Sequence, residues 1–174
     1  TDKGAQYQYL LKGRKILQKI ISSTDGWDSK VPEDLASAWT RWRNTLPTLC
    51  NLSFSRCYKP DSFGTVQKSS LHTFSDASEE GYGVACYLRQ VDNNNDIHVS
   101  LAFGKSRVSP LKSVTIPRLE LTAAATSVKL AAMVKEELML RDLLQTVYWS
   151  DSQICLGYIS NESRRFRVFV ANRV

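Results

Sequence analysis

The sequence predicts an α/β domain with a mixed sheet, preceded by a mainly helical segment. From Leu71 onward, apolar residues alternate with a period of two along three consecutive stretches. A stretch beginning at Pro117 then shows the 3.6-residue period of a helix, and a short apolar strand follows at 147–150. Because the chain returns to the sheet after a crossover helix, that strand is expected to lie parallel to an earlier one.

The elements are predicted in the order β-β-β-α-β-α. The three antiparallel strands cover 71–76, 82–88 and 97–103, with 92–96 as a polar turn. The long helix runs from Pro117 to about Leu140, and a second helix covers Ser152 to Ile159.

The segment before the sheet is predicted to contain two helices within residues 1–58. Pro32 suits a first helical turn, and Trp39 and Trp42 lie on one face of the helix that follows. We interpret these tryptophans as packing residues, because two rings on a helix face more often pack than stack on bases. The polar stretch 59–70 is predicted to be a linker, and 71–174 a separate domain.

The composition is that of a globular protein and excludes disorder, collagen and coiled coil. Of 174 residues, 43% are hydrophobic and 23% are charged. No apolar run reaches the roughly 18–20 residues of a membrane span, and no export signal precedes Gly13. We therefore expect an intracellular protein without a membrane partner. The missing initial Met and the end at Val174 indicate a piece of a longer chain.

Cysteine spacing and charge distribution limit which ligands and cross-links the chain is expected to have. Cys50, Cys57, Cys86 and Cys155 show no C-x-x-C spacing, which predicts isolated buried thiols instead of zinc ligands or disulfides. Residues 1–70 and 152–174 are net basic, whereas 71–151 are slightly acidic. Such a distribution suits cations in the middle and a polyanion at the flanks.

Three carboxylates occupy positions that suggest a shared site. Asp76 ends the first strand, Glu120 lies near the start of the long helix, and Asp151 ends the fourth strand. Helical spacing puts Glu120 on the narrow face that approaches the sheet, with Ala123, Ala124, Ser127 and Ala131. If the first and fourth strands are parallel neighbours, all three carboxylates are expected to converge within a few ångströms at the carboxyl end of the sheet.

Converging carboxylates need compensating positive charge. All-oxygen ligation favours Mg²⁺ or Mn²⁺, and two such ions about 4 Å apart can cleave a phosphodiester. Each residue alone also has a structural interpretation. Asp76 suits a turn, Asp151-Ser152 a helix cap, and Glu120 a helix start. Their joint order on these elements favours the metal site.

The ordered motifs closely resemble the ribonuclease H region of BEL/Pao-type long-terminal-repeat retrotransposon polyproteins. The first 60 residues resemble the connection between reverse transcriptase and that region, including Pro32-Glu33-Asp34-Leu35 and Trp39-Thr40-Arg41-Trp42. The domain motifs are Phe74-Ser75-Asp76-Ala77-Ser78, Lys105-Ser106-Arg107-Val108-Ser109-Pro110-Leu111-Lys112, Pro117-Arg118-Leu119-Glu120-Leu121-Thr122-Ala123-Ala124, Trp149-Ser150-Asp151-Ser152 and Phe169-Val170-Ala171-Asn172-Arg173-Val174.

The resemblance implies a ribonuclease H fold that cuts the RNA strand of RNA–DNA hybrids with two Mg²⁺ or Mn²⁺ ions and no small-molecule cofactor. Asp76, Glu120 and Asp151 match the first three metal-binding carboxylates. The family's fourth acidic residue belongs to an Asn-Pro-Ala-Asp-like motif expected after Val174, as are the last strand and helix of the fold. We therefore expect a weakened second metal site in the 174-residue chain, and cleavage by a chain extended through that motif.

The resemblance also implies partners and a location. These are the RNA–DNA hybrid and the reverse transcriptase domain of the same polyprotein, in cytoplasmic retroelement particles, with the nucleus as a second location. Basic or hydroxyl side chains near the carboxylates are candidate nucleic-acid contacts: Ser78, Ser152, Arg164, Arg165, Arg167 and Arg173. For the arginines, a solvated face is an equally good interpretation.

Two other functional classes stay open on the sequence alone. A non-catalytic ribonuclease H-like binding or scaffold module, either part of the polymerase or adopted by a host, would keep the fold without cleavage. An integrase or transposase core would share the acidic chemistry, but the position of Glu120 between the two aspartates disfavours it.

Overall fold

The computed structural model describes residues 2–26, 28–51, 53, 55, 57–139, 145–161, 166 and 168–174, with backbone only for 2–8. The chain divides into two compact units, Thr1–Ser55 and Arg56–Val174. The division lies three residues before the end of the predicted 1–58 segment. Among the described helices, none is long and apolar enough to cross a membrane.

The first unit is helical, with α1 (Asp2–Ser23), α2 (Glu33–Thr45) and a short 3₁₀ helix (Leu46–Asn51). Pro32 is the N-cap of α2, where its missing N–H costs nothing, and Glu33 and Asp34 face the positive end of the helix dipole. These features explain why the start of this helix is predictable from sequence.

Trp42 joins the two helices of the first unit. Its indole Nε1 donates a hydrogen bond of 2.9 Å to the carbonyl oxygen of Tyr9, and its ring lies directly against Gly13. Trp39 packs beside it, with ring centroids 4.7 Å apart. Both indoles are half-buried, and they make packing contacts as expected.

The second unit contains a four-stranded sheet. Its elements are β1 (Val66–Ser78), β2 (Gly81–Asp92), β3 (Ile97–Val108), α3 (Ile116–Glu137), β4 (Gln145–Trp149), α4 (Gln153–Ile159) and α5 (Val168–Ala171). The strand order is β3-β2-β1-β4, with β1 parallel to β4 and the other pairs antiparallel. The predicted mixed sheet with a parallel strand after a crossover helix is confirmed.

The core lies between α3 and one face of the sheet. Apolar residues of β1, β2 and α3 form it: Leu71, Val84, Cys86, Leu130, Ala131 and Val134. Along β1, Leu71, Thr73 and Ser75 point into this core, so His72 and Phe74 point to the opposite face. Small side chains on α3, including Ala123 and Ala131, are fully buried and let the helix approach the sheet closely.

Strand β1 begins five residues earlier than predicted. Residues 66–70 belong to the strand and not to a linker covering 59–70. This part of β1 pairs with the end of β2, where Ser70 opposes Arg89 and Val66 opposes Asp92. Backbone pairing holds the segment in the sheet, and its mostly polar side chains carry no alternation from which a strand could be predicted.

Strand β3 departs from simple alternation. A register irregularity between Cys86 and Tyr87 of β2 shifts the pairing, so Phe103 packs on the core while Ile97 and Val99 remain 58% and 53% exposed. The period-two alternation of apolar residues along this strand therefore does not correspond to one buried face, because a bulge reverses the facing of a strand.

Candidate functional site

Asp76 and Asp151 lie at the same end of two neighbouring parallel strands. Phe74 of β1 is the partner of Trp149 of β4. Asp76 lies two residues after Phe74, and Asp151 lies two residues after Trp149. Ser75 Oγ also contacts the Trp149 carbonyl oxygen at 3.5 Å. Both carboxylates are exposed. The prediction that these two strands are parallel neighbours is confirmed, but Asp76 does not end its strand, because β1 continues to Ser78.

Glu120 reaches the same end of the sheet from the start of α3. Its Oε2 accepts a hydrogen bond from the Ser152 hydroxyl, and Ser152 is the residue after Asp151. The Ser152 hydroxyl oxygen in turn accepts the N–H of Cys155 at 3.1 Å and so caps α4. Ser152 therefore links the chain after β4 to both helices.

The three carboxylates do not meet as predicted. Alternation along β1 places Asp76 on the sheet face opposite to the one that α3 covers, whereas Glu120 approaches from α3. Asp76 Oδ1 accepts the N–H of Ala77 at 2.7 Å, and Glu120 is engaged by Ser152. Within the described part of the chain, no three His, Cys, Asp or Glu side chains lie close enough to hold one metal ion.

The donor set nevertheless fits a hard divalent cation. Asp76, Glu120 and Asp151 offer only carboxylate oxygens, which Mg²⁺ and Mn²⁺ prefer. Strand β4 ends at Trp149, whereas β1 continues to Ser78, so among the described strands none flanks Asp76 on the β4 side.

Two cysteines are buried near the site and the core, and two are exposed. Burial and the charge of Glu120 both raise the pKa of Cys155. Burial also raises the pKa of Cys86, more than the hydrogen bond from Thr73 lowers it. Cys50 and Cys57 are exposed, so the prediction of four buried thiols is wrong for these two. Cysteine spacing bears on disulfides and metal ligation and carries no information about exposure.

The other predicted nucleic-acid contacts, of Ser78 and three arginines, stay predictions. Ser78 is the last residue of β1, where its Oγ contacts the Gly81 carbonyl oxygen at 3.4 Å and the Glu80 N–H at 3.3 Å. Arg164, Arg165 and Arg167 lie outside the described residues. Their role stays a prediction.

A cluster of two arginines and one phenylalanine was not recognised from the sequence as a unit. The guanidinium carbons of Arg118 and Arg173 lie 5.0 Å and 3.8 Å from the centroid of the Phe169 ring. Arg118 precedes Glu120 by two residues, so the cluster lies beside the first turns of α3. Both arginines occur in the motifs that carry the resemblance, but the sequence did not indicate that they contact the same ring.

The family follows from comparison with known proteins. Residues 4–152 match the model of the Pao retrotransposon-like RNaseH-like domain. The chain belongs to this family. The match covers all three carboxylates of the Pao-type domain and most of its helical first unit, and the mixed sheet is consistent with the ribonuclease H-like fold. A search of curated proteins found no match.

Proposed function

We propose that this Pao-type domain is the ribonuclease H of a retrotransposon polyprotein and cuts the RNA strand of RNA–DNA hybrids. Two observations support the proposal: the register of β1 and β4, which puts Asp76 and Asp151 near the same end of neighbouring parallel strands, and the hydrogen bond of Glu120 with Ser152, the residue after Asp151. Carboxylates near one end of a sheet can bind divalent cations, and two bound cations can support phosphodiester hydrolysis.

In this proposal, Asp76, Glu120 and Asp151 bind Mg²⁺ or Mn²⁺, with a fourth carboxylate from the family's last acidic motif. The ions, when bound, activate a water and stabilise the leaving oxygen. Asp76 and Asp151 are exposed, and exposed side chains change rotamer within picoseconds to nanoseconds. Asp76 and Asp151 would therefore hold the ion after a change of rotamer, and Glu120 would do so after leaving the Ser152 hydroxyl.

The second candidate is a non-catalytic ribonuclease H-like binding module. It is favoured by the contacts that hold two of the carboxylates on protein partners, Asp76 on the Ala77 N–H and Glu120 on the Ser152 hydroxyl. A binding module would hold the hybrid within the polymerase and would need no ion. The two candidates differ in chemistry and not in the nucleic acid that they bind.

Strand-specific cleavage tests the proposal. A hybrid labelled on both strands is incubated with the chain extended through the family's fourth acidic motif, with Mg²⁺, with Mn²⁺ and with EDTA. We expect RNA-strand products only, with either ion, and no products in EDTA, because the 2′-hydroxyls distinguish RNA from DNA in the minor groove. Binding without cleavage under every condition would overturn the proposal in favour of the binding module.

A further inference from the structure

Arg118, Phe169 and Arg173 form a small positive cluster at the first turn of α3, the helix that also carries Glu120. We propose that this cluster, called here the arginine pair, binds backbone phosphate of the nucleic-acid strand that lies at the carboxylates. The proposal rests on the proposed function for the identity of the ligand. Three features support it: the spacing of the charges, their lack of acidic partners among the described residues, and their anchoring.

The spacing brings two like charges together. Both guanidinium carbons lie within 5.0 Å of one ring centroid, so their charges are within about one Debye length, roughly 10 Å at 0.1 M salt. Like charges at this separation repel each other. An anion bound by these guanidinium groups reduces that repulsion.

Neither guanidinium is neutralised by the part of the chain that the structure describes. Arg118 contacts the Phe169 ring, and Arg173 contacts the same ring and donates from one terminal nitrogen to the Phe169 carbonyl oxygen at 3.0 Å. No described carboxylate forms an ion pair with either side chain. Each guanidinium has five N–H donors in a planar fork, so most donors remain available for phosphate oxygens.

The anchoring limits the entropy lost on binding. Phe169 is half-buried in α5, and its ring holds both long side chains by cation–π contacts. Side chains already held in place lose less freedom when a ligand binds. The arginine pair is therefore better organised for phosphate than isolated surface arginines.

The salt dependence of hybrid binding tests this proposal. The 174-residue chain is titrated with a fluorescent RNA–DNA hybrid in EDTA, over a series of salt concentrations. Neutralising one phosphate contact should reduce the slope of log affinity against log salt by roughly 0.7–0.9. We expect this reduction for each of Arg118→Gln and Arg173→Gln, and about twice that for the double variant.

Two controls separate phosphate binding from a structural role. Lys129→Gln removes the same charge from an exposed position on α3, eleven residues or about 16 Å further along the helix, and should leave the slope unchanged. Arg118→Lys with Arg173→Lys keeps the charges and should keep most of the slope. Loss of affinity in the lysine variant equal to that in the glutamine variant would overturn the proposal and assign the arginines to docking α5.

Two other results would overturn the proposal that the arginine pair binds phosphate. One is an unchanged salt slope in the double glutamine variant, and the other is a parent chain that does not bind the hybrid. The assay contains no metal, so its result is independent of cleavage. Shifted slopes in a chain that never cleaves RNA would keep the arginine pair and overturn the proposed nuclease function.

Discussion

The Ser152 hydroxyl donates a hydrogen bond to Oε2 of Glu120 and ties the residue after Asp151 to the start of α3. The same oxygen accepts the N–H of Cys155 in the first turn of α4. Ser152 is 7% exposed, so neither contact is readily replaced by water. One buried hydroxyl therefore fixes the position of a candidate metal ligand and caps a helix.

Ser152→Ala is expected to destabilise the second unit by about 1 kcal/mol, the usual cost of losing an N-cap side chain. Urea unfolding measures it. Ser152→Thr keeps the hydroxyl and should recover most of the loss. Ser160→Ala, at the other end of α4, removes a hydroxyl that makes no hydrogen bond among the described residues. A Ser152→Ala variant as stable as the Ser160→Ala variant would show that the contacts contribute nothing.

Gly13 and Gly157 are both helical glycines with opposite surroundings. A Cβ at Gly13 would overlap the Trp42 ring, whereas a Cβ at Gly157 would meet nothing within 4 Å. Gly13→Ala is expected to cost roughly 1–3 kcal/mol through overpacking. Gly157→Ala should stabilise by about 0.5–1 kcal/mol, since alanine is the better helix former. The midpoints of urea unfolding should move in opposite directions, and a stabilised Gly13→Ala variant would refute the packing of Trp42 on α1.

Asp92 should make the second unit sensitive to acid. It is 3% exposed, and its carboxylate accepts the N–H groups of Gly64, Asn94 and Asp96. Burial raises the pKa of Asp92, but these hydrogen bonds together lower it by more than burial raises it. The pKa of Asp92 therefore lies below its ordinary value.

A lowered folded-state pKa means that the stabilisation is present above the unfolded-state pKa and is lost as pH falls through the folded-state pKa. Asp92→Asn should therefore be less stable than the parent at neutral pH, and the difference should shrink in acid. Chemical unfolding between pH 7 and pH 2 measures this, with the exposed Asp61→Asn as control. A constant difference across that range would contradict the role of the Asp92 charge.

The four thiols should react in two classes. Cys50 and Cys57 are exposed, whereas Cys86 and Cys155 are fully buried with raised pKa values, which lowers their reactive thiolate fraction. We expect two thiols of the native chain to react rapidly with a chromogenic disulfide at pH 8, and all four after unfolding. Cys50→Ser with Cys57→Ser should abolish the rapid phase. A rapid phase that survives in this variant would place Cys86 or Cys155 at the surface.

The sequence was sufficient for the order of the elements. Alternation after Leu71 and the helical period after Pro117 are strong patterns, and the crossover rule then predicted that β4 lies parallel to an earlier strand, which is β1. Prediction from the sequence failed for residues 66–70, which backbone pairing alone holds in the sheet. It also failed for the facing of β3, which a bulge reverses. Neither feature leaves a pattern in side-chain polarity.

The candidate site was predictable in its location but not in its side-chain arrangement. Strand-end positions identified Asp76 and Asp151. The inward positions of Leu71, Thr73 and Ser75 put Asp76 on the face away from α3, and a strand-end position alone does not specify that face. The contact of Arg118 and Arg173 with Phe169 joins residues far apart in the chain, so no local pattern indicates it.

The rate of RNA-strand cleavage by Asp76→Asn tests the central claim most directly. The extended chain is compared with its Asp76→Asn variant and with Glu79→Gln, an exposed acidic residue in the adjacent turn, at saturating Mg²⁺. Bound ions contribute several kcal/mol, and each 1.36 kcal/mol is tenfold in rate, so we predict at least a roughly 100-fold loss for Asp76→Asn. Glu79→Gln should cleave at the parent rate, and an Asp76→Asn variant that also does so would contradict the assignment of the metal site.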